Sequence, residues 1–519
     1  MGCLDGEGLM GETAPIPLKG LDWRLRAGSI PASVAVYECV SGEQGYTTRR
    51  AANLVWKIEN SLHQQGWPTD VIIGSEASIS KSYSVSREVV REAVRIGELH
   101  GSFRMQRGRG GGVMACRPKL ETVTLAITEY MFCSGVTRSQ LYHICELFEP
   151  DILAHVARNW SGGMPEPPCR TLDSLSRHLE FRHKVLERIS DPVLALVWNI
   201  STWLGVELAP SCAPDQREVD EALRVYENKI MEAFAAGDAV AARRIRKGYG
   251  SRVSFLDLPL TRLHDREAGG LGDAVPGYTV NRSSQIARFL MDDVRRLDCG
   301  ERLGSEWELC SSLNATRPVV RQALRLLEDY GLVEARRGRS GGIFTSKQKR
   351  GAILRLAYPY LAANGVRPDT LLPLLWKMNI ANVRLAGERA KGFTSGERNY
   401  QLRRARDKAN QTPRPARFIG IQQAIGAIGQ NQMLDIIQCV LVGYTTRAFP
   451  PSRISKPMSD IVLEQAWDVA QAVIHGEADW AQALQDECQS AITQIWKSSV
   501  SDSCSSPYVR AGESAERRP

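Results

Sequence analysis

One stretch decides the fold of this chain, LGSEWELCSSLNATRPVVRQALRLLEDYGLVEARRGRSGGI at residues 303–343. Its pattern predicts a helix, a tight turn, a second helix, a short strand and then a basic, glycine-rich hairpin. Thr316 is placed to cap the second helix, and Pro318 fits the first helical turn, where a missing N–H does no harm. Apolar residues then recur at helical spacing and predict a buried stripe: Val320, Leu324 and Leu327.

Three arginines of the second helix, Arg317, Arg321 and Arg325, lie four residues apart and share the face opposite the apolar stripe. Arginines on one helix face also occur on solvated helices that bind nothing. A short amphipathic helix presented after a turn and followed by a basic hairpin, however, is typical of a helix that reads the major groove of DNA. The combination therefore favours DNA contact.

The same pattern occurs twice. Residues 85–113 align with residues 315–343 without a gap at an offset of 230, and 13 of the 29 aligned positions are identical. The Ser-Glu pair upstream keeps this offset, at 75–76 and 305–306. Ungapped self-similarity over this length predicts the duplication of a structural unit. The identical positions include Arg87/Arg317, Arg91/Arg321, Gly108/Gly338 and Arg109/Arg339.

Length and composition narrow the class of protein. A chain of 519 residues is too long for one hydrophobic core and predicts several domains. The net charge of +8 is consistent with a polyanionic partner but does not establish one. The 12 cysteines form no CxxC pair, which favours reduced thiols, and no apolar run reaches the length of a membrane span. We expect a cytoplasmic, nucleoid-associated protein.

The order of these patterns predicts a mainly α fold. Two winged helix-turn-helix domains are each followed by an all-helical bundle, as a tandem repeat. Helices at about 49–64 and 282–296 would open the winged domains, and a Lys- and Arg-rich segment at 391–416 would be a solvated loop. The predicted boundaries are a flexible N-terminal arm at 1–45, a winged domain at 46–117, a bundle at 118–252, a linker at 253–279, a second winged domain at 280–347, a second bundle at 348–498 and a disordered tail at 499–519.

These residues resemble the GntR family of bacterial transcription regulators, in its FadR-type branch with an all-helical effector (FCD) domain. The second copy carries the resemblance in Gly304-Ser305-Glu306, Ala315-Thr316-Arg317, Val320-Arg321-Gln322-Ala323-Leu324 and Gly331-Leu332-Val333. The first copy carries it in Gly74-Ser75-Glu76, Val85-Ser86-Arg87, Val90-Arg91-Glu92-Ala93-Val94 and the wing from Arg107 to Gly112. Phe148-Glu149-Pro150-Asp151 resembles the start of the effector domain.

The resemblance implies a sequence-specific DNA-binding transcriptional regulator. Members of the family normally reach two reading heads by dimerising, so this chain would be a covalent pseudo-dimer. Its partners would be an operator in double-stranded DNA and a small organic effector, and the bundles would allow self-association. Helix arginines would enter the major groove and wing residues the minor groove. The expected DNA-binding residues are Ser86, Arg87, Arg91, Arg107, Gly108, Arg109, Thr316, Arg317, Arg321, Arg337, Gly338 and Arg339.

The chain departs from the family pattern at two kinds of position. The family's basic residue after the Ser-Glu pair is Ala77 in the first copy and Trp307 in the second, which would remove one DNA contact from each head. The family's metal-ligand positions in the effector domain also lack a histidine set, so we predict no metal and no cofactor. Those positions hold His178, Arg182, Glu227 and Tyr249 in the first bundle and Phe418, Gln422, Ala466 and Cys488 in the second.

The sequence contains no recognisable catalytic constellation. No nucleophile is paired with a base, and the glycine-rich wings lack the Lys-Ser/Thr of a phosphate-binding loop. Glu149 and Asp151 could form an acid/base pair, but a place at a helix start, where carboxylates stabilise the helix dipole, explains them better. We therefore predict no catalytic residues. The alternative function is a small-molecule-binding or protein-interaction regulator in which one DNA-binding head is vestigial.

Overall fold

The computed structural model of the chain describes residues 32–41, 50–160, 174–207, 216–250, 282–336, 338, 341–346, 350–448 and 456–501. These residues form 20 α-helices and six short strands. The predicted linker at 253–279, most of the predicted tail, and Arg337 and Arg339 of the second wing lie outside the described residues.

The first half of the chain begins with a helix, α1 (Ala32–Ser41), and then a compact unit that contains a small sheet. The strands of this first unit are antiparallel, in the order β1-β3-β2, and the β2–β3 hairpin forms the wing. The predicted helix at 49–64 is confirmed. The elements of the first unit are α2 (Arg50–Gln64), β1 (Ile72–Gly74), α3 (Glu76–Tyr83), α4 (Arg87–His100), β2 (Phe103–Gln106) and β3 (Gly112–Ala115).

A bundle of six helices follows the first unit. Its last two helices are separated at Gly237, which has a left-handed φ of 65°. The helices of this first bundle are α5 (Leu120–Cys133), α6 (Arg138–Arg158), α7 (Ser174–Leu186), α8 (Pro192–Glu207), α9 (Gln216–Ala235) and α10 (Ala239–Gly250).

The second unit has the element order and strand order of the first. Its sheet is antiparallel in the order β4-β6-β5, and all three of its strands start 230 residues after their counterparts. The predicted helix at 282–296 is confirmed. The elements are α11 (Arg282–Arg296), β4 (Arg302–Gly304), α12 (Glu306–Ser312), α13 (Arg317–Asp329), β5 (Val333–Arg336) and β6 (Gly342–Thr345).

The second bundle contains seven helices and one short 3-10 helix, Arg414–Ala416. Six of them start 230 to 243 residues after the helices of the first bundle. The additional helix, α16, is a correction to the solvated loop predicted at 391–416. The helices are α14 (Gly351–Ala363), α15 (Pro368–Ala390), α16 (Ser395–Gln411), α17 (Arg417–Gly429), α18 (Gln432–Ala448), α19 (Lys456–His475) and α20 (Ala478–Ser501).

Two local features explain why α16 forms despite its many basic residues. Thr394 and Glu397 make a capping box, in which each side chain bonds the backbone N–H of the other residue. Ala405 and Ala409 are buried on the face that packs against α17 and α19. Most of the charged side chains occupy the outer face of a helix that the bundle holds in place.

Helix α1 is a second correction, because residues 1–45 were predicted as a flexible arm. Val36, Tyr37 and Val40 are almost completely buried, and the helix packs against α18 of the second bundle. Tyr37 also meets the ring of Trp56 edge-on, with 4.7 Å between the ring centroids. The part of the predicted arm that precedes Ala32 lies outside the described residues.

The units and the bundles are packed together. The two bundles contact each other through α5 against α14 and α6 against α18. The first unit shares one continuous core with both bundles. Among the described residues, the core of the second unit includes Ala126 of α5 and Leu356 of α14 and contacts the partly buried Cys133. The second unit is therefore the more loosely attached of the two.

Candidate nucleic-acid interface

The two candidate reader helices are α4 and α13, and each is presented by a turn in which one residue takes a left-handed conformation. These residues are Ser84, with a φ of 51°, and Asn314, with a φ of 43°, again 230 apart. Gly101 ends α4 in the same conformation, with a φ of 70°. Such caps fix where the helix starts and stops and hence the direction in which its outer face points.

The N-termini of the reader helices differ. Ser86 caps α4 by accepting a hydrogen bond from the N–H of Val89 at 3.3 Å. Thr316 is the N-cap residue of α13, but its side chain accepts no capping hydrogen bond, so the expected Thr316 cap is wrong. The N–H of Val319 is bonded instead to the main-chain carbonyl of Thr316 at 3.0 Å. The exposed Thr316 hydroxyl is therefore left available to a ligand.

The reader helices bury one face and expose the predicted arginines on the other. Val320, Leu324 and Leu327 are buried, as predicted, and the equivalent face of α4 is buried as well. Each residue of 85–100 has the same burial class as its counterpart in 315–330. The exposed arginines of the two reader helices are Arg87, Arg91, Arg95, Arg317, Arg321 and Arg325.

Acidic side chains from the preceding helices hold three of these arginines. The Glu306 carboxylate lies 2.5 Å from Arg317 Nε and 2.9 Å from Arg321 Nε, and Glu76 lies 3.0 Å from Arg91 Nε. Burial would raise the pKa of Glu306, but the hydrogen bonds and charges of the two arginines outweigh it and lower the pKa. The sequence reasoning missed this role, although the repeated Ser-Glu pair marked both carboxylates.

The wings have backbones that only glycine allows. Gly108 and Gly338 have φ values of 111° and 120°, in the left-handed region that favours glycine. A Cβ at Gly111 or Gly341 would lie 2.3 or 2.6 Å from a backbone carbonyl oxygen of the adjoining strand. Arg107 and Arg109 are exposed at the tip of the first wing. The hairpins therefore present basic side chains on a thin, closely turned backbone.

The position after the Ser-Glu pair differs strongly between the units. Ala77 is a small exposed residue on α3, whereas Trp307 on α12 is 77% exposed. A large exposed aromatic side chain leaves apolar area in water, and it adjoins Glu306, which holds the reader arginines. The second unit thus has an aromatic ring where the first has almost no side chain.

In the first bundle, Arg182 at one of the expected metal-ligand positions belongs to a buried group of ion pairs. Arg182 Nη1 lies 2.8 Å from Glu149 Oε1, and Arg246 Nε lies 2.6 Å from Glu149 Oε2. Burial would raise the pKa of Glu149, but the two guanidinium groups lower it to about 2. His178 Nδ1 lies 2.8 Å from Glu227 Oε1, and the side chain of Tyr249 is outside the described residues. Arg182 and His178 at the expected ligand positions thus each bond a buried carboxylate.

The predicted helix start at Glu149 and Asp151 is wrong. Both residues, and Pro150 between them, lie inside α6, which begins at Arg138. Glu149 forms the buried ion pairs just described, and Asp151 pairs with Arg243 at 2.8 Å and with Lys377 of the second bundle. The carboxylates are thus used in packing α6 against its neighbours and not at a helix end.

The matching positions of the second bundle are uncharged. Gln422 donates to Gln485 Oε1 at 2.8 Å, and Ala466 and Cys488 are fully buried. Across the part of the chain that the structure describes, no group of three or more His, Cys, Asp or Glu side chains is arranged to hold a metal ion.

The second unit also corresponds to a known sequence family. Residues 282–343 match the model of the bacterial regulatory proteins of the gntR family. The match covers this segment and far less than half of the chain. The matched family consists of regulatory proteins and not of enzymes.

The solved structures most similar to the chain include two bacterial proteins. One is the Streptococcus agalactiae GntR, which is 17% identical over 41% of this chain and 99% of its own, with a TM-score of 0.31. The other is Lar, whose title states that it controls the expression of the Listeria monocytogenes agr system. It is 12% identical over 42% of this chain and 98% of its own, with a TM-score of 0.23. No curated protein sequence matches the chain.

A membrane-spanning helix is not found within the described ranges, since none of their helices is both long and apolar enough to cross a bilayer.

Proposed function

We propose that the chain is a sequence-specific DNA-binding transcriptional regulator of the GntR type, a covalent pseudo-dimer with two winged-helix reading heads. The observation that carries this proposal is the recurrence, 230 residues apart, of a reader helix, its left-handed turn and its glycine wing. One of the two copies is the segment that matches the gntR family. The first unit is, in this proposal, the second head that related regulators obtain by dimerisation.

The proposed DNA contacts come from the exposed side chains of the reader helices and the wings. Arg87, Arg91, Arg317 and Arg321 would enter the major groove or clamp its phosphates, where a guanidinium can bond two acceptors of a guanine. The hydroxyl groups of Ser86 and Thr316 would bond phosphates at the helix starts. The wing residues, Arg107, Gly108, Arg109, Arg337, Gly338 and Arg339, would reach the adjacent minor groove.

Control by a small organic effector and self-association through the bundles are further parts of the proposal. Operator binding would also place the protein in the cytoplasm, at the nucleoid. The contacts between the bundles and both heads support effector control, because a change in bundle packing would alter the distance between the reader helices.

Selection of bound fragments from genomic DNA, followed by footprinting, tests the proposal. A selected fragment should bind the purified full-length chain far more tightly than bulk DNA. The logarithm of the association constant should fall linearly with the logarithm of the salt concentration, because phosphate contacts release counterions. Equal affinity for selected and bulk fragments, or binding that does not depend on salt, would contradict it.

A further inference from the structure

A cavity of about 770 Å³ lies where the second unit meets both bundles. Its walls come from α1, from α5 of the first bundle, from α11 and β6 of the second unit, and from α16, α17 and α18 of the second bundle. Arg350, the residue before α14, completes the wall of the second bundle. Pockets for small organic ligands usually have volumes of about 300–1,000 Å³, so this cavity has the size of a ligand site.

The charge of the lining is predominantly positive. Three cationic side chains, Arg295, Arg350 and Lys408, face one carboxylate, Asp435. Arg350 Nη1 lies 3.2 Å from Asp435 Oδ1, and Arg295 makes a long ion pair of 3.9 Å with Asp292. Lys408 has no ion-pair partner among the residues that the structure describes. Asp435 therefore faces both Arg350 and Lys408, and the partly enclosed space keeps an excess of positive charge.

Neutral hydrogen-bonding groups complete the lining. Burial raises the pKa of Tyr130 to about 12, so its phenol remains a donor at neutral pH. The side chains of Ser134, Thr345 and Gln432 also line the cavity. Groups of this kind can orient the hydroxyl or carbonyl groups of an organic molecule whose charge is held by the cations.

We propose that this cavity binds a small organic anion whose carboxylate or phosphate group lies against Lys408 and Arg350. A bound molecule would touch the second unit through Arg295 and Thr345 and both bundles through Tyr130 and Lys408. It would therefore fix the angle of the loosely attached second unit. The effector role of the anion rests on the proposed function. Binding of the anion to the cavity does not, so binding and the effect on the second unit are measured separately.

Binding is tested on the purified full-length chain without DNA, by calorimetry and thermal unfolding. The phosphate probes are inorganic phosphate and glucose 6-phosphate, the carboxylate probes are succinate and citrate, and the uncharged controls are glucose and succinamide. At least one anion should saturate the protein with a Kd below about 1 mM and raise its Tm, while its uncharged analogue does not. The probe that binds identifies the anionic group. If none of the four anions binds, the proposal is wrong.

Three substitutions locate the site. Lys408→Gln should weaken binding of the anion about tenfold or more, because a charge-assisted hydrogen bond is lost. Asp435→Asn should strengthen binding, since it removes the only carboxylate of the lining. Arg403→Gln is the matched control, because it removes an exposed charge from the same helix outside the cavity. Equal weakening by Lys408→Gln and Arg403→Gln, or weaker binding to Asp435→Asn, would overturn the assignment.

Coupling to the second unit has its own readout. The anion should slow hydrogen exchange of amides in α11 and β6 as well as in α14 and α18. If the anion slows hydrogen exchange only in the bundle helices, the effector role is wrong, although the anion-binding site remains supported. If the anion binds as expected but no DNA fragment is selected, the DNA-reading function fails and the site stands.

Discussion

His100 and Asp329 join the ends of the two reader helices, with 3.8 Å between the imidazole Nε2 and the carboxylate Oδ2. His100 is only 1% exposed, and its Nδ1 lies 2.9 Å from Glu59 of the first unit. The guanidinium of Arg355, in the second bundle, donates a hydrogen bond of 2.9 Å to the main-chain carbonyl of Asp329. A buried chain of charges thus connects the two reader helices with each other and with the second bundle.

This chain of charges predicts a loss of stability at alkaline pH. Burial disfavours the charged imidazole, but the carboxylates of Asp329 and Glu59 outweigh burial and raise the pKa of His100 to about 9. The pKa is near 6.5 in the unfolded chain, so the stabilisation is complete below pH 6.5 and is lost as pH rises through 9. Urea unfolding midpoints of the wild type should fall between pH 7 and 10, and those of His100→Gln should change little.

His63 provides an internal control, because its pKa is shifted in the opposite direction from that of His100. Burial and the nearby Arg447 lower its pKa to about 4, so its contribution is lost as pH falls below 6.5. His63→Gln should therefore flatten the acid side of the profile and leave the alkaline side unchanged. A His100→Gln variant that loses stability as steeply as the wild type above pH 8 would contradict the role given to His100.

The buried carboxylate of Glu149 is expected to be essential for the first bundle. Glu149→Gln would leave Arg182 and Arg246 as buried cations without their carboxylate, and loss of one partner from such a group costs about 3–5 kcal/mol. Urea unfolding at pH 7 measures the difference. Glu388→Gln, which removes an exposed carboxylate of α15, is the control and should change the midpoint little. A stable Glu149→Gln variant would show that the ion pairs contribute little.

Helices α2 and α11 and the buried stripe of α13 were predicted correctly because their signals are local. The apolar stripe beginning at Val320 and glycines such as Gly108 determine helix and turn without distant residues. Glu149 was misplaced because Pro150 normally favours a helix start, while its partners Arg182 and Arg246 lie on other helices. Helix α16 was missed because its composition suggested a loop, and burial of Ala405 by neighbouring helices was not visible. Contacts with distant residues therefore determine the structure around Glu149 and at α16, and a single sequence does not reveal them.

The carboxylate of Glu306 should determine how selectively the second head reads DNA. In Glu306→Gln the side chains of Arg317 and Arg321 lose their shared partner and one negative charge disappears beside the phosphates. Affinity for bulk DNA should therefore rise while the preference for the selected operator falls. Titrations of both DNAs at fixed salt measure the ratio, with Glu388→Gln on α15 of the second bundle as the charge-matched control. A ratio equal to that of the wild type would mean that Glu306 does not position these arginines.

The operator should be asymmetric because the two heads present different side chains beside the reader helices. Ala77 corresponds to the exposed Trp307, and Glu88 corresponds to Pro318. Sequences selected from a random pool should contain two unlike half-sites, and only perfect palindromes would contradict this.

Ala77→Arg should increase the affinity of the first head by supplying a phosphate contact, and the salt dependence should steepen by about one counterion. A matched Ala77→Gln variant separates this effect of charge from that of side-chain size.

Both heads should act on one DNA molecule, so loss of either one should reduce binding by more than its own contacts. Once one head is bound, the packed bundles hold the other near the same DNA at a high effective concentration. Arg91→Ala and Arg321→Ala should each cost about 1–3 kcal/mol if the side chain reads a base, and Arg321→Ala should cost more because its unit matches the gntR family. The double variant should keep only weak, salt-sensitive association.

Titration of these variants on a selected fragment at fixed salt measures the losses, and Arg367→Ala on the second bundle is the control. If Arg91→Ala binds like the wild type while Arg321→Ala does not bind, the first unit is not a DNA reader, and the chain is a one-headed regulator.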